Sequence, residues 1–204
     1  MFPVQQMRIC SVLSLLILCA AVFLVGCGSP DSDPAEARTP PDSIRQDVEQ
    51  SIASLDEMRE SLAATIDTPT VDKRTFKRVC KPVGQRAARL GADRGWAVQQ
   101  LATKYRNPAH EPDEEARQLH KAFASSHELT DRWIRTTRNG HKGWRYARRI
   151  TVQSSCLACH GPKEKRPDFV KNGYPDDRAY GFKQGDLRGI YSVFVPDTSA
   201  LGAR

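Results

Sequence analysis

The chain has 204 residues, with 31 Lys and Arg against 24 Asp and Glu, a formal net charge of +7 at pH 7 and 39% hydrophobic residues. The length suits one domain behind a short leader. The basic excess is scattered along the chain without aromatic interleaving, which argues against nucleic acid as a partner and fits solubility or acidic partners.

From Arg8 the chain enters an apolar run, Ile9 to Leu24, that ends at Leu24-Val25-Gly26-Cys27 and holds no acidic residue. This is the pattern of an export signal. The box before Cys27 resembles that of bacterial lipoproteins, which are cut in front of the Cys and acylated on it. The run lies near the short limit of roughly 17 to 25 residues for a membrane span, so a lipid anchor is expected in preference to a transmembrane one. Gly28 after the lipidated Cys resembles the pattern of lipoproteins passed to the outer membrane. The expected organisation is a signal peptide over 1–26, a flexible tether over 27–42 rich in Ser, Asp, Pro and Ala, a folded domain over 43–197 and a tail over 198–204.

Ile44, Val48, Ile52, Leu55, Leu62 and Ile66 recur at helical spacing, opened by Asp42 or Ser43 as a cap, and Thr68-Pro69 breaks the helix. A second helix is predicted from Asp72 to Leu90, with Phe76, Val79, Cys80, Val83 and Ala87 on its core side and Gly91 as its stop. A short strand follows over Trp96 to Ala102, then a turn at Arg106-Asn107-Pro108. Pro112 with three acids behind it opens a third helix, predicted to reach about Thr136 and to end at Asn139-Gly140. Trp144, Tyr146, Arg148, Ile150 and Val152 alternate with Arg145, Ala147, Arg149 and Thr151 as in a strand. Tyr174 to Gln184 reads as a loop, and Arg188 to Val195 as a strand that pairs with the earlier one. Helices followed by a meander give an α+β fold with a cofactor held between the helical layer and an antiparallel sheet.

The strand ending near Val152 leads into Cys156-Leu157-Ala158-Cys159-His160. C-x-x-C-H is the attachment signature of covalent haem c, in which two thiols one helical turn apart become thioethers and the histidine becomes an axial iron ligand. C-x-x-C alone also serves zinc sites and thiol–disulfide exchange. A zinc site here could draw at most on Cys80, Cys156, Cys159 and one histidine, and a redox motif belongs early in a β-α-β unit, so both fit less well. Export agrees with haem c, which is attached outside the cytoplasm.

Of six cysteines, Cys10 and Cys19 fall in the signal, Cys27 takes lipid, and Cys156 and Cys159 take haem, which leaves Cys80. After His160 there is no His, Met or Cys, so a second axial ligand must come from upstream. Cys80, His110, His120, His127 and His141 are the candidates, while Met58 suits a helix core. Lys77, Arg78 and Lys81 would favour a Cys80 thiolate. Arg106, Arg145 and Arg148 are candidates for the haem propionates.

Cys156 to Gly161, then Gly185-Asp186-Leu187-Arg188-Gly189-Ile190-Tyr191-Ser192-Val193, with Arg106-Asn107-Pro108 and Val79-Cys80 upstream, resemble the c-type haem family with a PAS-like fold long catalogued as a domain of unknown function. The resemblance covers about residues 43 to 197. It implies a five-stranded antiparallel sheet with flanking helices, and a thiolate–histidine haem with Cys80 as distal ligand to His160. One departure is His110, where the family more often carries Asn, which places a rival ligand nearby.

The function expected is a periplasm-facing, lipid-anchored monohaem protein that senses redox state or a small ligand, with a one-electron carrier as the alternative. It is expected not to be an enzyme, because peroxidase-type chemistry needs ordered acid–base groups that the sequence does not supply. No output segment is read after Arg204, so a sensor would act through a redox or signalling partner, whose identity the residues leave open.

Overall fold

The computed structural model describes residues 39–66 and 71–198. Helix α1 spans Asp42–Ala64, and Val48, Ile52 and Leu55, spaced by three and four, form its buried stripe. Helix α2 spans Lys73–Arg94. The Asp72 side chain accepts one of the free N–H groups in the first turn of α2, that of Thr75, at 2.8 Å. Its stop is Gly95 and not Gly91: Gly95 has φ +67°, the left-handed conformation that ends a helix, whereas Gly91 is buried inside the last turns. Asp47 pairs with Arg94 and ties the two helices into a hairpin.

Strand β1, Ala97–Leu101, falls inside the expected segment. Helix α3 spans Glu114–Ser125, capped by Asp113. The third helix therefore stops eleven residues before the predicted end, because Asp131–Arg138 is strand β2. It forms a hairpin with β3, His141–Thr151, through Asn139 at φ 51° and Gly140 at φ 79°. Two successive positive φ values make the two-residue turn that matches strand twist, so Asn139-Gly140 turns a hairpin and does not cap a helix.

Strand β4, Leu187–Pro196, completes an antiparallel sheet in the order β1-β4-β3-β2. It pairs with β3 as expected and also with β1. Four strands are present among the described residues, one fewer than the resemblance implies. Between β1 and α3 the chain makes a tight turn at Pro108–His110, where Pro108 and Pro112 have no N–H to give to a ladder.

The sheet is sandwiched. Tyr146, Ile150, Tyr191, Val193 and Val195 face Val48, Ile52, Leu55, Val83, Ala87 and Leu90 of α1 and α2. The alternate residues Ala147, Ile190 and Leu101 meet Ala116, Leu119 and Phe123 of α3. Strand alternation thus places the two apolar sets on opposite faces, giving the α+β architecture. Beyond a register shift at Ile150/Thr151 the chain leaves β3 and enters a turn at Ser154–Cys156 and the one-turn helix α4, Leu157–His160. Helix α5 covers Asp168–Gly173. No helix among the described residues is long and apolar enough to cross a membrane. The expected signal peptide, Cys27, nearly all of the tether and the tail beyond residue 198 lie outside the described residues.

Candidate functional site

Cys156 closes the turn that follows β3, and Cys159 and His160 end α4, so the three side chains leave one short coil at the end of the sheet. The chain must reverse immediately after His160, and Gly161 permits it: a Cβ there would stand 2.6 Å from the Leu157 carbonyl oxygen. The loop over residues 177–182 then folds back on His160. Phe182 N donates to the His160 carbonyl at 3.1 Å and Gly181 N to that of Gly161 at 2.7 Å. Val152, Ala179 and Phe182 form a small core under Cys156 and Leu157.

His160 Nδ1 lies 2.7 Å from the Ala179 carbonyl oxygen. A carbonyl can only accept, so the ring hydrogen sits on Nδ1 and Nε2 keeps its lone pair. Ala179 is itself fixed, because its N–H donates to Asp177 Oδ1 at 3.0 Å. Asp177 is buried and holds Arg106 at 3.3 Å and Arg166 at 2.8 Å. Arg106 also donates through Nη2 to the Cys159 carbonyl at 2.9 Å. Burial pushes the His160 pKa well below its ordinary value, and Arg188, Arg106 and Lys104 add to the fall, so the ring is neutral and able to ligate.

These residues open onto a cleft of about 570 Å³ between the α1–α2 hairpin and the end of the sheet, in the range of cofactor sites. Its wall includes Cys156, Cys159 and His160 and, from α2, Cys80. Cys80 is accessible and not packed in the core, because it borders this cleft beside buried Val79 and Val83. Its thiol is pushed up to about 11 by the surrounding protein and by Cys159, while Arg106 and Arg188 pull it the other way. The basic neighbours on α2, Lys77, Arg78 and Lys81, are exposed and do not supply that pull.

His110 lies on the same wall, with Nδ1 2.7 Å from the Gln100 carbonyl oxygen. His120, His127 and His141 are not part of it. Arg145 faces α3, where it pairs with Asp113 and Glu115, and Arg148 lies beside Asp56, so neither reaches the cleft as propionate candidates should. Asp177 and Ala179 escape the sequence reading, Ala179 because it acts through its carbonyl, and Arg188 enters it only within the strand motif that carries the resemblance. Among the described residues no group of three or more His, Cys, Asp and Glu is placed to hold a metal ion.

The family model described as Tll0287-like: Tll0287 matches residues 37–196. Among solved structures, the chain is similar to one titled "Crystal structure of the cyanobacterial heme-protein Tll0287", at 44% identity and a TM-score of 0.68, over 78% of this chain and 98% of that one. No curated protein matches. The chain therefore belongs to the Tll0287-like family.

Proposed function

We propose that this chain is an exported, lipid-anchored monohaem c-type cytochrome that senses redox state or a small ligand through reversible ligation by Cys80. The observation that carries it is the shared cleft, where two thiols three residues apart, a neutral histidine with Nε2 free and a separate thiol on α2 meet. The similar solved protein is a heme-protein by its title, which supports haem as the cofactor. The residues fit such a group: C-x-x-C-H gives two thioether positions and one axial donor, and Cys80 or His110 gives a second from another part of the wall.

A haem bound there would supply a one-electron iron couple. Cys156 and Cys159 would tether it, and His160, clamped through Ala179 and Asp177, would give a fixed donor. Cys80 differs in kind: as a thiolate it favours the oxidised state, and once protonated it is a poor donor that can withdraw, leaving a position for a small ligand. That asymmetry between a clamped histidine and a cleft-exposed thiol favours sensing. The rigid seat of His160 favours the alternative, a one-electron carrier. The partner is a periplasmic redox or signalling protein, the membrane is reached through Cys27, and Gly28 supports the outer membrane.

Absorption spectra of the exported protein test this reading. A pyridine haemochrome of the c type and a mass raised by one iron porphyrin are expected, and colourless protein from a host that matures other c-type cytochromes refutes it. A reduced form that gains a CO band supports the sensor, whereas low-spin six-coordinate spectra in both states without a CO band leave the carrier. Cys80→Ser is expected to shift the ferric Soret band, and an unchanged band removes Cys80 as ligand.

A further inference from the structure

Three guanidinium groups line the cleft, those of Arg59, Arg106 and Arg188. Arg59 pairs with Asp56 at 2.8 Å and with Glu60 at 3.0 Å, and Arg106 with Asp177. Arg188 has no carboxylate at ion-pair distance among the described residues. One of its nitrogens, Nη1, donates to the Lys104 carbonyl at 3.1 Å, and the guanidinium stands 5.4 Å from the Phe182 ring centroid. A guanidinium carries five N–H donors, so most of this fork is uncommitted. The neighbourhood is also short of negative charge. Lys104 sits over the Phe182 ring at 4.1 Å, and Asp177 is already divided between Arg106 and Arg166. Burial and the charge of Arg106 lower the pKa of Arg188 to about 10, against a smaller opposing pull from Asp177.

A half-buried guanidinium on the cleft wall, with no ion pair among the described residues, is suited to an anion, and its planar fork matches a carboxylate. We infer that Arg188 is the carboxylate anchor of the cleft and holds a haem propionate. This rests on the haem reading above. Arg188 is then a positioning residue for the cofactor, and Arg106, consumed by Cys159 and Asp177, is not.

The test uses the haem-loaded protein with Arg188→Leu and Arg188→Lys, read by resonance Raman of the propionate bending modes and by redox titration from pH 5 to 9. In Arg188→Leu the propionate band is expected to shift. The potential should fall at high pH and become pH-dependent, because the released carboxylate takes up a proton as pH falls. Arg188→Lys is expected to restore the potential but not the band. If the Leu variant fails to accumulate, the Lys variant decides by its band alone. An unmoved band in haem-containing variants overturns the assignment, as does a Soret shift without a band shift, which gives Arg188 to the Cys80 thiolate. A band that moves when acetate is added to the unsubstituted protein indicates an exchangeable free carboxylate and also overturns it. Absence of haem from the unsubstituted protein brings down the proposed function, whereas unchanged variants of a haem-containing protein remove the Arg188 assignment alone.

Discussion

His160 is oriented by a relay of three residues. Its Nδ1–H is spent on the Ala179 carbonyl, the Ala179 N–H on Asp177, and Asp177 is held by two guanidiniums. Such outer partners fix the tautomer and aim of a ligating ring, and losing one typically costs about 10- to 100-fold in metal affinity or activity. Replacing Asp177 by Ala removes the acceptor for Ala179 N and leaves Arg106 and Arg166 facing each other. The expected outcome is a protein that keeps its covalent cofactor but binds imidazole in competition with His160 on the order of 10-fold more readily. An imidazole titration followed optically measures it, and an unchanged midpoint means that the loop backbone alone seats the ring. Among the described residues Cys80 has no comparable relay, so one donor is fixed and the other conditional.

At the scale of elements, Asp113 joins α3 to the sheet. It caps the helix at Ala116 N, 2.8 Å away, and makes two 2.6 Å bonds to the guanidinium of Arg145, which is buried on β3. Arg145 holds the Asp113 carboxyl below its ordinary value of 3.8, despite the opposing effect of burial. A depressed carboxylate stabilises the fold at pH above its unfolded value and loses that contribution as pH falls through the lower folded one. Acid unfolding should therefore gain a step below about pH 4 that Asp113→Ala lacks. Because Asp113 is half-exposed and Glu115 still faces Arg145, the variant is expected to lose about 1 to 2 kcal/mol at pH 7, mostly the cap. Urea melts at pH 7 and pH 3 check both statements.

The same region shows where the sequence could be read and where it could not. Asp113 announces the start of α3 because capping is local chemistry. The end of α3 and the existence of β2 are not local: β2 is an edge strand whose burial does not alternate cleanly, and its conformation is imposed by pairing with β3. Asn139-Gly140 satisfies a helix stop and a hairpin turn equally, since both want positive φ. The site divides in the same way. Cys156, Cys159, His160 and Cys80 carry their chemistry in their side chains and are legible, while Ala179 contributes a backbone carbonyl that any residue could supply.

Across the whole molecule, the cleft divides the described chain into parts that depend on it differently. The core between α1, the second half of α2 and the sheet closes without any cleft residue except Val83 and Ile150, and the α3 core without any except Leu101. The first half of α2 is less secured. Of its apolar residues Phe76 and Val79 border the cleft, and Phe76 has a ring neighbour in Phe169 at 5.8 Å. The loop over residues 174–186 rests on the small core of Val152, Ala179 and Phe182. A group tethered at Cys156 and Cys159 and reaching Cys80 would join these two weak parts, and burying its apolar surface in the folded state alone would add about 3 kcal/mol, the upper figure for one large apolar side chain. Cys156→Ser with Cys159→Ser is therefore expected to lower Tm by roughly 6 to 12 °C. Hydrogen exchange should rise over residues 73–82 and 174–186 while β3 and β4 keep their protection. If protection is instead lost evenly across the sheet, the cleft is part of the cooperative core and α2 is no hinge between a ligand and the fold.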